Sequence, residues 1–161
     1  MFNALQPVVY VQVSPESLSL KNLKSGQFLT EEPELAVSAP PNSTILAVGL
    51  EARAAAASNG ARLVNPFAHP RSLVSDFTAA EQLIKHQLRR ILGKSWLSVA
   101  PYVVIHPLGN PEGGFTQVEL RAFREMVLGA GAAEAHVWTG RPLSDGEVLS
   151  RNPPTGAGTW E

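Results

Sequence analysis

The sequence predicts an α/β fold: a mixed sheet that begins with three antiparallel strands and continues as helix, strand, helix, strand, with the helices packed on the sheet. Two observations predict it. The N-terminal part has short apolar and β-branched runs separated by Pro, Gly and Asn, and the later part alternates segments of helical spacing with β-branched runs. Because parallel strands need a crossover, we expect each strand-helix-strand connection to be right-handed.

The opening strands are expected to form an antiparallel meander. Residues 8–13 are β-branched and aromatic and stop at Ser14-Pro15, whereas residues 18–23 carry leucines separated by polar residues. Residues 28–37 contain two more short apolar runs on either side of a proline. We expect a further strand over residues 45–48, followed by a small alanine-rich helix that Asn59-Gly60 ends.

The first long helix is expected to begin after Ser75 or Asp76, either of which is a good N-cap, and to stop at Gly93. Its apolar residues share one side. Its cations form a small basic patch, which is typical of a solvated face or a partner contact. The patch consists of Lys85, Arg89, Arg90 and Lys94.

The second long helix has the clearest start signal in the chain. Thr116 is followed three residues later by Glu119, which is a capping box. An apolar stripe follows at Leu120, Phe123, Val127 and Ala130. A β-branched run over residues 102–105 precedes this helix and another over residues 135–138 follows it, so the unit reads as strand, loop, helix, strand.

Composition indicates one globular domain and is compatible with a reducing compartment. The chain has 161 residues, 44% of them hydrophobic, a net charge of −1 and no cysteine. This charge balance provides no excess of positive charge for binding the phosphate backbone of nucleic acid. The start has no signal-peptide pattern and no run is long enough to cross a bilayer, so we expect a cytoplasmic protein. The domain is expected to span residues 1–143, and residues 144–161, which contain Pro and Gly without periodicity, are expected to form a flexible tail.

No pattern of catalytic or metal-binding residues emerges. The histidines are spread over a loop, a helix and two strand ends, which favours ordinary surface or packed residues over a metal site. They are His69, His86, His106 and His136. None of the candidate serines Ser14, Ser75 and Ser95 lies in a nucleophile-elbow context, so no serine nucleophile is predicted. Asp76 alone does not make the several-carboxylate site of a nuclease.

Three acidic residues surround a proline and suggest paired carboxylates, but a solvated turn is the expected explanation. They are Glu31, Glu32 and Glu34. The loop over residues 107–115 is longer than its connection needs, and we expect an inert insertion, with a binding loop as the alternative. Trp96 and Trp138 are expected in core or edge packing. Trp160 has no evident burial in the sequence and is a candidate docking residue.

The second long helix also carries a family resemblance. The run Thr116-Gln-Val-Glu119, with the following Arg-Ala and Arg-Glu pairs and the stop over residues 129–132, resembles the corresponding helix of MreB, the bacterial rod-shape-determining actin homologue. Similar steps occur in the same order over most of residues 8 to 143. They include Glu32-Pro33, Val48-Gly49, Ala52, Asp76-Phe77, Glu81, His86 and residues 101–105.

This resemblance implies the first half of an actin-like ATPase, with a ribonuclease-H-like mixed sheet. It also exposes two departures. The family's first hairpin carries an Asp-Leu-Gly-Thr-type phosphate loop, where this chain has Gln12-Val13-Ser14-Pro15. The family's Glu-Glu-Pro step, whose glutamate serves water attack, is replaced by Gly140-Arg141-Pro142. The phosphate-loop position at Gln12, Ser14 and Pro15 is therefore interpreted as degenerate, with no catalytic residue, metal site or cofactor expected.

The leading hypothesis is a non-catalytic actin-like domain that works by protein-protein contact, with an MreB-type filament or with itself, in cell-shape or cytoskeletal organisation. The alternative is an ATP-binding filament subunit or enzyme that a partner or self-assembly completes. The third and least favoured hypothesis is a domain that binds a small ligand through the loop after Ile105. Phe2 and Leu5 lack flanking cations, so no stable membrane anchoring is expected from this chain alone.

Overall fold

The structure is a computed structural model that describes residues 4–41, 43–68, 76–94, 98–109 and 111–161. The strands in chain order are β1 (Val8–Val13), β2 (Leu18–Asn22), β3 (Phe28–Glu31), β4 (Leu35–Val37), β5 (Ile45–Val48), β6 (Arg62–Val64), β7 (Tyr102–Pro107), β8 (Glu134–Gly140) and β9 (Gly158–Trp160). The helices are α1 (Ala52–Asn59), α2 (Phe77–Leu92), α3 (Gln117–Gly129) and α4 (Asp145–Leu149), and a short 3-10 helix (Gly49–Glu51) precedes α1.

The main sheet has the order β3-β2-β1-β7-β8-β9. Strands β1, β2 and β3 pair antiparallel, β7 pairs parallel with both β1 and β8, and β9 pairs antiparallel with β8. The sheet is therefore mixed, with the opening meander and the later helix-strand-helix-strand order that the sequence predicts. This confirms the predicted fold class.

A second, smaller sheet has the order β5-β4-β6. The sequence predicts that residues 28–37 continue the meander, and this prediction is wrong for the last run, because β4 pairs with β5 and β6 rather than with β3. Strand β6 was not predicted. It has three residues, of which Arg62 and Leu63 are exposed, so it offers little hydrophobic pattern.

Both long helices begin at the predicted caps. The carboxylate of Asp76 accepts a hydrogen bond from the backbone N–H of Ala79 at 3.0 Å, and Gly93 ends α2. In α3 the Thr116 hydroxyl accepts from the N–H of Glu119 at 3.1 Å, while the Glu119 carboxylate accepts from the N–H of Thr116 at 3.0 Å. The capping box therefore forms as the sequence predicts.

The two faces of the main sheet are packed differently. On one face, alternate residues of β1 and β7 meet the apolar sides of α2 and α3, including the predicted stripe on α3. On the other face, an aromatic-rich cluster contains Tyr10, Tyr102 and Trp138. Residues after β8 cover this second cluster, and they contribute Leu143, Val148, Ala157 and Trp160.

The segment over residues 144–161 therefore differs from the expected flexible tail. Its helix α4 begins with a second capping box between Ser144 and Glu147, a spacing that is readable in the sequence. Val148 is 1% exposed, and β9 extends the sheet at its edge. The physical reason is that the apolar surface that this segment buries is supplied by strands far away in the sequence.

Candidate functional site

The site lies where the parallel strands β1, β7 and β8 end. Gln12 pairs in register with His106, and the imidazole of His106 lies 3.0 Å from the carbonyl oxygen of Gly140. The carboxyl ends of parallel strands form the usual ligand crevice of α/β sheets. The structure thus brings the expected phosphate-loop position, at residues 12–15, to the same edge as residues 140–142. We call residues 12–17, His106 and residues 140–142 the strand-end site.

The turn after β1 is closed by its own serine. The hydroxyl of Ser14 accepts hydrogen bonds from the N–H of Ser17 at 3.1 Å and from the N–H of Glu16 at 3.3 Å. The N–H of Ser14 donates to the carbonyl of Ser17 at 2.9 Å, and Pro15 has no N–H. Every backbone donor of residues 14–17 is therefore either absent or engaged inside the turn.

The same turn is fixed from outside. The amide of Asn65, which follows β6, donates to the carbonyl of Pro15 at 2.8 Å. On the other side, the N–H of Leu108 donates to the carbonyl of Val13 at 2.7 Å. Phosphate-binding loops present free, converging N–H groups. This turn presents none over residues 14–17 in the conformation that the structure shows.

A buried hydrogen-bond chain lies behind the turn. Nε2 of His106 must donate, because its partner is the carbonyl of Gly140, and Nδ1 therefore accepts from the hydroxyl of Tyr10 at 2.7 Å. The Tyr10 oxygen in turn accepts from the N–H of Leu143 at 3.1 Å. Burial lowers the pKa of His106 and raises that of Tyr10. Both groups are thus neutral, and they tie β1 and β7 to the segment after β8.

The sequence predicts an ordinary surface or packed histidine at His106, and the structure shows a packed one. Tyr10 is not among the residues predicted for the site. The available signal is the alternation in β1, which places Tyr10 on the face opposite Val9 and Val11.

A guanidinium stands where the resemblance implies a water-activating glutamate. Arg141 forms two hydrogen bonds with the carboxylate of Glu147, at 2.9 and 2.7 Å. Its hydrogen bond, aided by the Ser144 cap, lowers the pKa of Glu147 to about 2. Glu147 is therefore a very weak base. The guanidinium of Arg141 is paired with Glu147 and does not face a ligand site.

The three glutamates near Pro33 need a correction. We expected a solvated turn, but Glu31 and Glu34 are each only 6% exposed. Glu34 forms a bidentate ion pair with Arg53, whose guanidinium also contacts the exposed Glu32. Hydrogen bonds from Arg53 lower the pKa of Glu34. The burial follows from pairing, since buried carboxylates need partners.

Glu31 lies at the centre of a second polar cluster. It accepts from Arg90 at 2.7 Å, from the buried Gln87 at 3.0 Å and from the N–H of Leu50 at 3.3 Å. Burial raises its pKa, but the donors outweigh burial and the net shift is downward. Gly49 makes this packing possible, because a Cβ there would lie 1.7 Å from a Glu31 oxygen. The cluster joins β3, the 3-10 helix and α2, and it is structural.

The remaining histidines and tryptophans do not converge. His86 is exposed on α2, and His136 contacts Glu134 at 2.7 Å and stacks on Trp160 with ring centroids 4.7 Å apart. Trp138 is fully buried as predicted, whereas Trp160 is half-buried by this packing rather than free for docking. Within the described part of the chain, no three metal-ligating side chains cluster.

Some sequence candidates lie outside the described residues. They are His69, Ser75, Ser95, Trp96 and Phe2. In the loop at 107–115, Phe115 packs edge-on against Phe123 of α3, which anchors one end of the loop in the core. The choice between an inert insertion and a binding loop stays a prediction. Over the described ranges, no helix has the length and apolarity that crossing a membrane requires.

Comparisons with known proteins agree on one family. The sequence model of the MreB/Mbl protein family matches residues 21–142. The crystal structure of MreB5 of Spiroplasma citri bound to AMPPNP aligns with a TM-score of 0.63 at 18% identity, covering 82% of this chain and 38% of that one. The same protein bound to ADP aligns with a TM-score of 0.62, again at 18% identity, covering 82% of this chain and 37% of that one.

No curated protein sequence matches the chain. The chain spans less than two fifths of the length of the two solved structures, at 38% and 37%. Their likeness establishes the actin-like fold, and the family match extends over most of the sequence. The chain therefore belongs to the MreB/Mbl protein family.

Proposed function

We propose that this chain is a non-catalytic actin-like domain that works by protein-protein contact in cytoskeletal or cell-shape organisation. The observation that carries the proposal is the closed turn at Ser14, whose hydroxyl holds the N–H groups of Glu16 and Ser17. A phosphate needs such groups unoccupied. The two internal hydrogen bonds that must break to free them oppose nucleotide binding.

The chemistry around the turn supports the same proposal. Gln12 carries no charge with which to hold magnesium, and Mg²⁺ prefers carboxylate oxygens. Glu147, which lies close to Arg141, has its pKa lowered to about 2 through that ion pair and the Ser144 cap. General-base catalysis works best with a pKa near the operating pH. Neither Gln12 nor Glu147 meets these requirements.

Exposed apolar side chains on the small sheet favour a contact surface. Ile45, Leu46 and Leu63 are 42%, 44% and 40% exposed. They lie on the two outer strands of this sheet, β5 and β6, with β4 between them. Exposed apolar side chains on edge strands favour contact with another chain. The proposal includes a cytoplasmic location and a partner that is either an MreB-type filament or a second copy of this chain.

Co-sedimentation tests the proposed function. The purified chain is spun with and without a polymerised MreB-type protein, each in the presence and absence of ATP and magnesium. The proposal predicts pelleting with the filament, and weaker pelleting for Leu46→Ser or Leu63→Ser. Failure to pellet with the filament, together with a monomeric chain in solution, contradicts the proposal.

A second candidate is a nucleotide-binding filament subunit that a partner or self-assembly completes. The observation that favours it is that the two similar crystal structures are of MreB5 bound to AMPPNP and to ADP. Sedimentation of the chain alone separates the two candidates, because only this one predicts assembly that depends on ATP.

A further inference from the structure

The junction between α1 and β6 carries an Asn-Gly pair at Asn59 and Gly60. Asn59 is the last residue of α1 and is exposed, and in the described part of the chain its carboxamide makes no hydrogen bond. Gly60 is exposed as well, with a φ of +63°, and an added Cβ there would meet nothing within 4 Å. The two groups that an intramolecular reaction would join are therefore open to water.

The chemistry available to this pair is a cyclisation. The backbone nitrogen of Gly60, once hydroxide removes its proton, attacks the side-chain carbonyl carbon of Asn59, and a succinimide ring forms as ammonia leaves. Water then opens the ring at either carbonyl, which gives aspartate or isoaspartate. The net reaction consumes water and releases ammonia, with no change of oxidation state. Glycine favours the attack, because it has no side chain to hinder the approach of its nitrogen.

The other asparagines that the structure describes are protected. Asn65 and Asn152 each precede a proline, whose nitrogen carries no hydrogen and cannot become the nucleophile. Asn22 is 6% exposed, and its side-chain oxygen accepts hydrogen bonds from two backbone N–H groups at 3.2 and 3.3 Å. Among the described asparagines, Asn59 therefore combines an exposed carboxamide with an unhindered nucleophile.

The end of α1 is held more weakly than its start, which matters because cyclisation requires the backbone of Asn59 to leave helical angles. Arg53 ties the first turn to Glu32 and Glu34 by ion pairs at 2.8 and 2.7 Å. In the last turn, the hydroxyl of Ser58 bonds to carbonyls of the same helix. Short helices are marginally stable and open locally without global unfolding, so the reactive geometry is accessible in the folded chain.

We propose that Asn59 is a site of spontaneous deamidation in the folded protein, which converts it to a mixture of aspartate and isoaspartate. Either product places a negative charge at the C-terminal end of α1, where the helix dipole opposes it. In isoaspartate the main chain also passes through the side-chain CH2 group, shortly before β6 begins at Arg62. Leu63 of β6 belongs to the proposed contact surface, so a weakened contact is the expected consequence, and this consequence rests on the proposed function.

Ageing of the full chain tests the site. The folded chain is incubated and digested with trypsin, and mass spectrometry follows the peptide 54–62, in which replacement of NH2 by OH raises the mass. Asn59 is expected to convert at least about tenfold faster than Asn22 or Asn65. Its rate is expected to rise about tenfold between about pH 7.5 and about pH 8.5, because hydroxide generates the nucleophile.

Two variants separate the ring chemistry from general ageing. Asn59→Gln keeps a carboxamide but needs a larger ring, and it is expected to stay unmodified. Gly60→Ala puts a methyl group beside the nucleophile and is expected to slow conversion about tenfold, even though its backbone strain loosens the end of α1. The same incubation in urea removes all protection by α1, and the folded chain is expected to convert within about tenfold of that rate.

Three results overturn the proposal: no conversion of Asn59 in the folded chain when the chain in urea converts, conversion of Asn22 or Asn65 as fast as that of Asn59, or an unchanged rate in Gly60→Ala. Co-sedimentation tests the consequence, since aged wild-type chain is expected to pellet less with the filament than aged Asn59→Gln, and equal pelleting contradicts it. The mass measurement needs no partner, so failure of the site and failure of the proposed function are detected separately.

Discussion

Ser14 and Ser17 close the turn after β1 on itself. The N–H of Ser14 donates to the Ser17 carbonyl at 2.9 Å, and the Ser14 hydroxyl accepts from the Ser17 N–H at 3.1 Å. Because Pro15 between them has no N–H, the backbone donors of residues 14–17 are all absent or satisfied within the turn.

The turn should be measurably stabilising. Ser14→Ala removes the acceptor of two N–H groups, and we expect it to lower the free energy of unfolding by about 1 kcal/mol. Ser58→Ala is the control, because the Ser58 hydroxyl donates back to helix carbonyls that are already hydrogen-bonded in the helix, those of Ala54 at 2.9 Å and Ala55 at 3.4 Å. Its loss should change stability by less than about 0.5 kcal/mol. Urea denaturation measures both. Equal effects from the two variants contradict the closed turn.

The segment after β8 should behave as part of the core. Val148 is 1% exposed, and we expect Val148→Ala to destabilise the chain by about 2 kcal/mol through lost burial. Leu149 is the neighbouring control: it is 40% exposed, and Leu149→Ala should cost much less. If thermal melts show the two variants to be equally stable, the segment is a free tail, as the sequence suggested.

Two glycines with similar backbone angles should respond differently to alanine. Gly49 and Gly60 have φ of +69° and +63°, but only Gly49 faces another group, Glu31. Gly60→Ala should cost about 1 kcal/mol from backbone strain alone. Gly49→Ala also displaces Glu31 from Arg90 and Gln87, and should cost more than about 2 kcal/mol. Chemical denaturation measures the free energy of unfolding of both variants. Similar losses of stability for the two variants would contradict the close approach of Gly49 to Glu31.

His106 should make stability depend on pH. Burial lowers its pKa in the folded state, so below the ordinary value of about 6.5 the unfolded chain binds more protons. Its contribution is therefore fully present above pH 6.5 and is lost as pH falls toward the lower folded value. His106→Gln should flatten the change in unfolding free energy between pH 7.5 and pH 5.5, a window set by that pKa.

A background variant isolates this effect. The pKa of His86 is lowered as well, by partial burial and by Arg90, so its contribution has the same sign. The difference between His86→Gln and the double variant that adds His106→Gln gives the contribution of His106 to the pH dependence. Carboxylates whose pKa is lowered, such as that of Glu31, affect the pH dependence of stability only below about pH 4.5, which lies outside this window. An unchanged slope in the double variant would count against the buried neutral imidazole.

Local signals in the sequence predicted local structure well. The caps at Asp76 and Thr116 involve residues three positions away, and both form as predicted. The fold class followed from the same periodicities. The capping box at Ser144 has an equally clear signal, but by itself it does not predict a packed helix, because the residues after it have no apolar periodicity.

What the sequence did not predict depends on distant partners. The buried state of Glu31 requires Arg90, 59 positions away, and that of Glu34 requires Arg53, 19 positions away. The hydrogen bond from the Leu143 N–H to Tyr10 spans 133 positions. Such pairs are brought together by strand order, which hydrophobic spacing does not specify. Hydrophobic spacing also does not show that the Ser14 hydroxyl accepts hydrogen bonds from the N–H groups of Glu16 and Ser17.

Isothermal titration of the purified chain with ATP and with ADP, each in the presence of magnesium, tests whether the turn at Ser14 excludes a nucleotide. Because residues 14–17 offer no free N–H to a phosphate, the account predicts no binding heat at micromolar nucleotide and no magnesium-dependent release of phosphate. Micromolar binding with turnover contradicts it, and would mean that the turn at Ser14 opens to receive the triphosphate.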